Sequence, residues 1–347
     1  LKKELAVNSS RYYLGVFYLF FVLVALNGCD TVTPSQSVLD VGGVAWLPDA
    51  SGMIGFTQQY VRDPNNTEPL AYNLSRLSSE GGISGTIVSD KKSRYSIAPE
   101  IFISDDGTKA IVQLDSALYR VNLATGDLTP LASKLVLYAV SPDLRTAVIT
   151  NTSIAQPVKT ISVLDISTNT ARKISEFQGK NLAISRGLWL TGGRFALTTE
   201  TDTGRNLAIY DTNGQQVAEY PNGEVAYHSS GIDRLNNRLY VLSSRGGTNH
   251  GIDVIDLVLE KKEMLTPLTE NVESFDIGKS GSLIVYVTAD STGRKMKALN
   301  VQTGATALLS EDYVLWDAIS PMENRVAYVV LGDNLNSQIK VKSVSLP

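Results

Sequence analysis

Two histidines, His228 and His250, and one cysteine, Cys29, are all the imidazole and thiol that this 347-residue chain owns. A Ser-His-Asp triad or a zinc site would have to use one of the two, and a three-histidine zinc site is excluded. The oxygen-rich stretches Glu200-Thr201-Asp202 and Asp333-Asn334-Leu335-Asn336 lack the spaced ligand series of a calcium loop and read as solvated turns. The sequence therefore calls for no metal and no cofactor. Gly278-Lys279-Ser280-Gly281-Ser282 superficially suggests a phosphate loop or a nucleophile elbow. It lacks the earlier glycine of the first and ends in Ser282 where the second has glycine, so it reads as a hairpin turn. Carboxylates are the chemistry that remains. Two acids about 5–10 Å apart can cleave a glycosidic bond, and Glu100 and Glu273 are the candidates.

Cys29 has a different setting. Residues 12–26 carry no charge and follow Lys2, Lys3 and Arg11, the pattern of a secretory signal. At 15 residues the stretch is short of the roughly 20 that span a bilayer. Its end, Leu26-Asn27-Gly28-Cys29, resembles the lipobox of bacterial lipoproteins: Leu26, Gly28 and Cys29 fit, and Asn27 departs from the family's preference for a small or β-branched residue. The resemblance implies that residues 1–28 are removed, that Cys29 is lipidated, and that 29–37 form a tether holding a domain of 38–347 to the membrane. Asp30 resembles the signal that retains enteric lipoproteins on the periplasmic face of the inner membrane. In a single-membrane host the same anchor would place the domain on the outer cell surface. Either way the expected location is the cell envelope, outside the cytoplasm.

A formal charge of −4, evenly spread, argues against a nucleic-acid partner. No Pro/Ser/Gly stretch after the tether divides the chain, and Val, Ile, Leu, Thr and 15 tyrosines dominate the apolar runs. These are strand formers, and they recur. FISDDGTKAIVQL (102–114), AVSPDLRTAVIT (139–150), DIGKSGSLIVYVT (276–288) and AISPMENRVAYVV (318–330) each read strand, polar turn, strand. Aligned on the first residue after the turn, Ile54, Ala110, Ala147, Phe195, Leu239, Ile284 and Val326 form a column with a mean spacing of about 45 residues. The columns two positions later (Phe56 to Tyr328) and seven earlier (Leu47 to Ile319) are also apolar throughout, and the position between the first two is never charged. Strands with no polar face are buried on both sides, as the middle strands of propeller blades are.

The Ser-Pro-Asp turn at 141–143, and Ser320-Pro321 with Met322 in place of Asp, resemble TolB-type WD-repeat-like propellers. RLYVLSSRGGTNHGIDVIDL (238–257) resembles the YVTN-type repeats of bacterial surface propellers. The expected fold is an all-β propeller of seven four-stranded blades, with six or eight as alternatives. Ser37–Asp40 is expected to pair with the last blade and close the ring.

The innermost strands would begin at a channel mouth. Glu100, Arg186, His228, Glu273, Trp316 and Asp317, with Asp276 beside them, are the residues placed there to hold a polar ligand. Strand ends also carry polar residues simply because they meet water. The leading functional reading is a non-enzymatic binding or assembly scaffold with an envelope protein partner. The alternatives are a lactonase- or glycan-acting propeller hydrolase, or a small-ligand sensor using the channel mouth.

Overall fold

Runs of β-branched and aromatic residues separated by Ser, Pro, Asp and Gly fold as hairpins, because each run has no polar face for water and each turn holds a residue that can reverse the chain. The computed structural model describes residues 37–61, 69–91, 101–114, 117–151, 158–178, 183–201, 204–221, 223–224, 231–246, 249–265, 270–291, 293–331 and 336–346. Cys29, Glu100, His228 and the apolar stretch 12–26 lie outside these. Among the described residues, 28 strands form seven antiparallel sheets, 37–91, 101–133, 135–178, 183–221, 223–264, 272–310 and 314–343, arranged as the blades of a β-propeller. First strands touch where blades 1 and 2, 3 and 4, 6 and 7, and 7 and 1 meet, which puts them around the channel. The first strand of blade 5 comes in two pieces, Gly223–Glu224 and Ile232–Asp233, both paired to Arg238–Gly246.

The apolar columns are where the sequence placed them. Ile54, Ala110, Ala147, Phe195, Leu239, Ile284 and Val326 are all fully buried. Seven apolar clusters fill the seven seams between blades, so the core is divided among the seams rather than gathered at a centre. Every first-to-second-strand turn has a left-handed residue: Ala50, Gly107, Leu144, Asn237, Gly281 and Glu323 singly, and Gly192 with Gly193 in blade 4. Gly126 and Gly214 are required by approach as well as by φ. A Cβ on either would lie 2.1–2.2 Å from a carbonyl oxygen of the preceding blade, Ile87 O and Ile174 O. Arginines fasten the seams between blades 3 and 4 and between blades 4 and 5, with Arg172 Nη2 donating to Thr212 O at 2.6 Å and Arg234 Nη2 to Trp189 O at 3.0 Å.

Ring closure differs from expectation. Ser37–Asp40 is the start of Ser37–Trp46, the inner strand of blade 1, and pairs with Gly52–Val61 (Ser37 with Val61, Asp40 with Gln58). The strand runs on unbroken to Trp46, and that continuity commits it to blade 1. Blade 7 has three strands among the described residues. It closes on blade 1 through side chains. Trp46 Nε1 donates to Ala318 O at 3.0 Å, and Ser337 Oγ donates to Asp40 Oδ1 at 2.8 Å. The Arg325 guanidinium lies 5.1 Å from the Trp46 ring centroid and donates to Ala50 O and Ser79 O, each at 3.3 Å.

The meander gives the molecule two ends. First strands begin at one, the entry end, and the first-to-second and third-to-fourth turns crowd the other, the turn end.

Candidate functional site

The structure brings part of the expected channel mouth together at the entry end of blades 6 and 7. Glu273 lies in the inner strand Val272–Ile277, at a register shift between Val272 and Ser274. A bulge turns its residue away from the regular pleat, and Glu273 is exposed while Val272 is buried. Its Oε2 accepts an ion pair from Arg294 Nε at 2.7 Å. The same guanidinium sits 4.1 Å from the ring centroid of Tyr313, just ahead of the inner strand of blade 7. Glu273 is thus a partnered carboxylate. Pairing with Glu100 across the channel is an arrangement whose second member lies outside the described residues.

Further along the channel wall, Asp276 and Asp317 come from the inner strands of adjacent blades, and each is 8% exposed. Asp276 Oδ1 accepts from Ile277 N and its Oδ2 from Ile319 N, both at 2.9 Å. One carboxylate therefore ties the inner edge of blade 7 to blade 6. Asp317 Oδ2 is buried with no hydrogen-bond partner. Burial, and then the charge of Asp276, push the Asp317 carboxyl well above the usual carboxylate range. Both break the repeat. Asp276 pairs with Val285 as Ala318 pairs with Ala327, and Asp317 pairs with Tyr328 as Phe275 pairs with Tyr286. An acid thus stands where other blades use apolar residues. Chemically, an acid with a raised pKa beside a second carboxyl group is an arrangement able to share or donate a proton.

The remaining expected residues are placed less fully. Arg186 and Trp316 are in the inner strands of blades 4 and 7, paired with Thr198 and Val329. His250 opens the third strand of blade 5, and its backbone N–H donates to Asn271 Oδ1 at 3.1 Å. The turn 278–282 is the hairpin expected of it, with Gly281 N bonded to Gly278 O at 2.9 Å and Ser280 Oγ held by Glu323 Oε2 at 2.7 Å. Arg294 and Tyr313 were not legible, because their meeting with Glu273 depends on strand register. Among the described residues no group of three or more His, Cys, Asp or Glu could hold a metal, and no helix is long and apolar enough to cross a membrane.

No family model matches the chain, and no curated protein does. Solved structures are similar. An oligogalacturonate lyase in complex with manganese aligns at TM-score 0.70 and 13% identity, over 91% of this chain and 95% of that one. An oligogalacturonate lyase from Vibrio parahaemolyticus aligns at 0.69 and 14%, over 91% and 95%. A TolB candidate from Agrobacterium tumefaciens aligns at 0.52 and 13%, over 90% and 100%. At these identities the likeness establishes the propeller fold and leaves family and activity open.

Proposed function

We propose that the chain is a lipid-anchored propeller of the cell envelope that works as a binding and assembly scaffold, with its turn end presented outward. The direction of the first strand carries this reading. Ser37 begins the inner strand of blade 1 at the entry end. Cys29 lies eight residues upstream, and an extended tether of that length reaches at most about 28 Å. A lipid on Cys29 would hold the entry end at the bilayer and turn the opposite face toward partners. To test this, a photo-crosslinking residue is placed in cells at Thr125 or Thr303, both exposed at the turn end. A discrete protein adduct is expected with the native anchor, and Cys29→Ser should abolish labelling by a palmitate analogue and move the protein to the soluble fraction. Equal lipid labelling of both forms, or no adduct from any turn-end position, overturns the reading.

A second reading is favoured by the Asp276–Asp317 pair and by the whole-length likeness to oligogalacturonate lyases. An acid with a raised pKa beside a second carboxyl group is the equipment of a lyase or hydrolase acting on an acidic glycan. Turnover of oligogalacturonate or another member of a glycan and lactone panel, lost in both Asp317→Asn and Asp276→Asn, would establish it. Equal turnover in the variants would remove it.

A further inference from the structure

Arg120 breaks the repeat. It lies in the third strand of blade 2, Ala117–Asn122, opposite Ile111. In blades 3 to 7 the residue in that register is Val163, Ile209, Val254, Ala298 or Val341, all apolar. Blade 1, in which Trp46 pairs with Met53 as Ile103 pairs with Ala110, has Arg76 there, opposite Ile54. Arg76 fastens a seam: its Nη2 donates to Leu123 O of blade 2 at 2.5 Å. Among the described residues, no hydrogen bond or ion pair takes up the Arg120 guanidinium. A half-buried arginine on a central strand, with five donors and no seam to fasten, is equipped for a ligand.

One face of the sheet builds the cleft beside it. Ile111, on that face, packs into the apolar cluster shared with blade 3. Toward the turn end two cross-strand rows continue the face: Arg120 with Thr129, and Lys109 with Asn122 and Asp127. These five residues line a cleft of about 310 Å³, at the lower end of small-ligand sites. Asn122 Oδ1 accepts from Ala124 N at 2.9 Å and Thr125 N at 3.2 Å, so its Nδ2 is left to donate. Thr125 Oγ1 donates to Asp127 Oδ2 at 2.6 Å, which leaves Oδ1 to accept. Two cations and one carboxylate leave the lining one positive charge. The acids of the adjoining turns, Asp106, Asp143 and Asp165, are held by hydroxyls and N–H groups of their own turns and do not pair with Arg120. Their charge repels a polyanion, so a single negative group is what fits. We propose that this cleft binds a hydroxylated monocarboxylate of about one sugar ring, a sugar acid. Arg120 and Lys109 take the carboxylate, and Asn122, Asp127 and Thr129 take ring hydroxyls. The site lies in the seam between blades 2 and 3, away from the acids of blades 6 and 7, and is independent of the scaffold reading.

The probe is glucuronate, titrated into the full-length protein and followed by amide NMR. Shifts should saturate and concentrate on Lys109, Arg120, Asn122 and Thr129. Glucose, which lacks the carboxylate, and acetate, which lacks the ring, should each bind at least tenfold more weakly. Arg120→Val copies the residue of blades 3 and 5, so it should keep the wild-type melting temperature and bind glucuronate at least tenfold more weakly. Lys109→Gln, at an exposed position, should weaken binding in the same direction without touching the seam. Asp317→Asn should bind as wild type. Shifts confined to other blades, glucose or acetate binding as well as glucuronate, or undiminished binding by both cleft variants would each overturn the inference. Binding lost in Asp317→Asn would overturn it too, by moving the ligand to the channel.

Discussion

Asp317 is the residue at which stability and site chemistry meet. Its carboxyl is buried, Oδ2 has no hydrogen-bond partner, and the nearby charge is that of Asp276. Its folded-state pKa stands above the unfolded value. The stabilisation from holding the proton is therefore complete below about pH 4 and is lost as pH rises toward the folded pKa. Asp317→Asn removes the titration with little change of shape. It should match wild type near pH 4 and exceed it at pH 8 by on the order of 1–3 kcal/mol, the scale of an unsatisfied buried group. Urea denaturation at the two pH values checks this, and a difference that stays constant with pH sinks it. The sequence showed Asp317 as a polar residue near a strand start, and showed Asp276 beside it. It could not show that both face one seam, because side-chain direction follows from register and the inner strands of blades 6 and 7 each carry a register shift. For the same reason Glu273 was legible as an acid at the mouth and Arg294 as its partner was not.

At the scale of strands, legibility was high because burial on both faces leaves a plain signature. Every residue between the two main columns, from Gly55 to Ala327, is buried. Val241 shows what the column protects. It is fully buried in the seam between blades 4 and 5, and its cross-strand partner is Asp253. Burial raises the Asp253 carboxyl, but bonds from Arg245 and Lys262 outweigh it and hold the group below its ordinary range. Val241→Asp would set a second carboxylate opposite the first with no cation left for it, at a cost of several kcal/mol. Soluble expression should be lost. Lys261→Asp, on the exposed outer strand of the same blade, should express and melt near wild type. Comparable yields from both variants would mean that the seam is not closed at Val241. What the columns could not give was the partner of Ser37–Asp40. An inner strand of blade 1 and an outer strand of blade 7 have the same composition, and only continuity to Trp46 decides between them.

At the scale of the whole molecule, stability depends on how a ring of seven sheets ends. The seam between blades 7 and 1 joins residues more than 240 positions apart, so closing it costs the most chain entropy of any seam. Its apolar cluster, centred on Trp46, Ala50, Met53, Leu77 and Ala327, has fewer fully packed members than its neighbours. The outermost described strand of blade 7, Ser337–Ser343, carries Lys340 and Lys342, which discourage edge-to-edge pairing with another chain. Arg325 then has a disproportionate task. Its guanidinium stacks on Trp46 and reaches two backbone carbonyls and Glu80 of blade 1 at once. Arg325→Ala should cost about 2–4 kcal/mol, combining lost charged hydrogen bonds with the lost cation–π contact. Arg325→Lys keeps the charge but lacks the planar fork that serves two carbonyls, so it should recover less than half of the loss. The ring should also open locally before it unfolds. Limited proteolysis of Arg325→Ala should release fragments cut in blade 7 or the start of blade 1 while blades 3 to 5 stay protected. Hydrogen exchange of Trp46 and Ala318 should accelerate in parallel. A variant that loses stability with protection falling evenly around all seven blades would show that the ring unfolds as one unit and that closure is not its weak point.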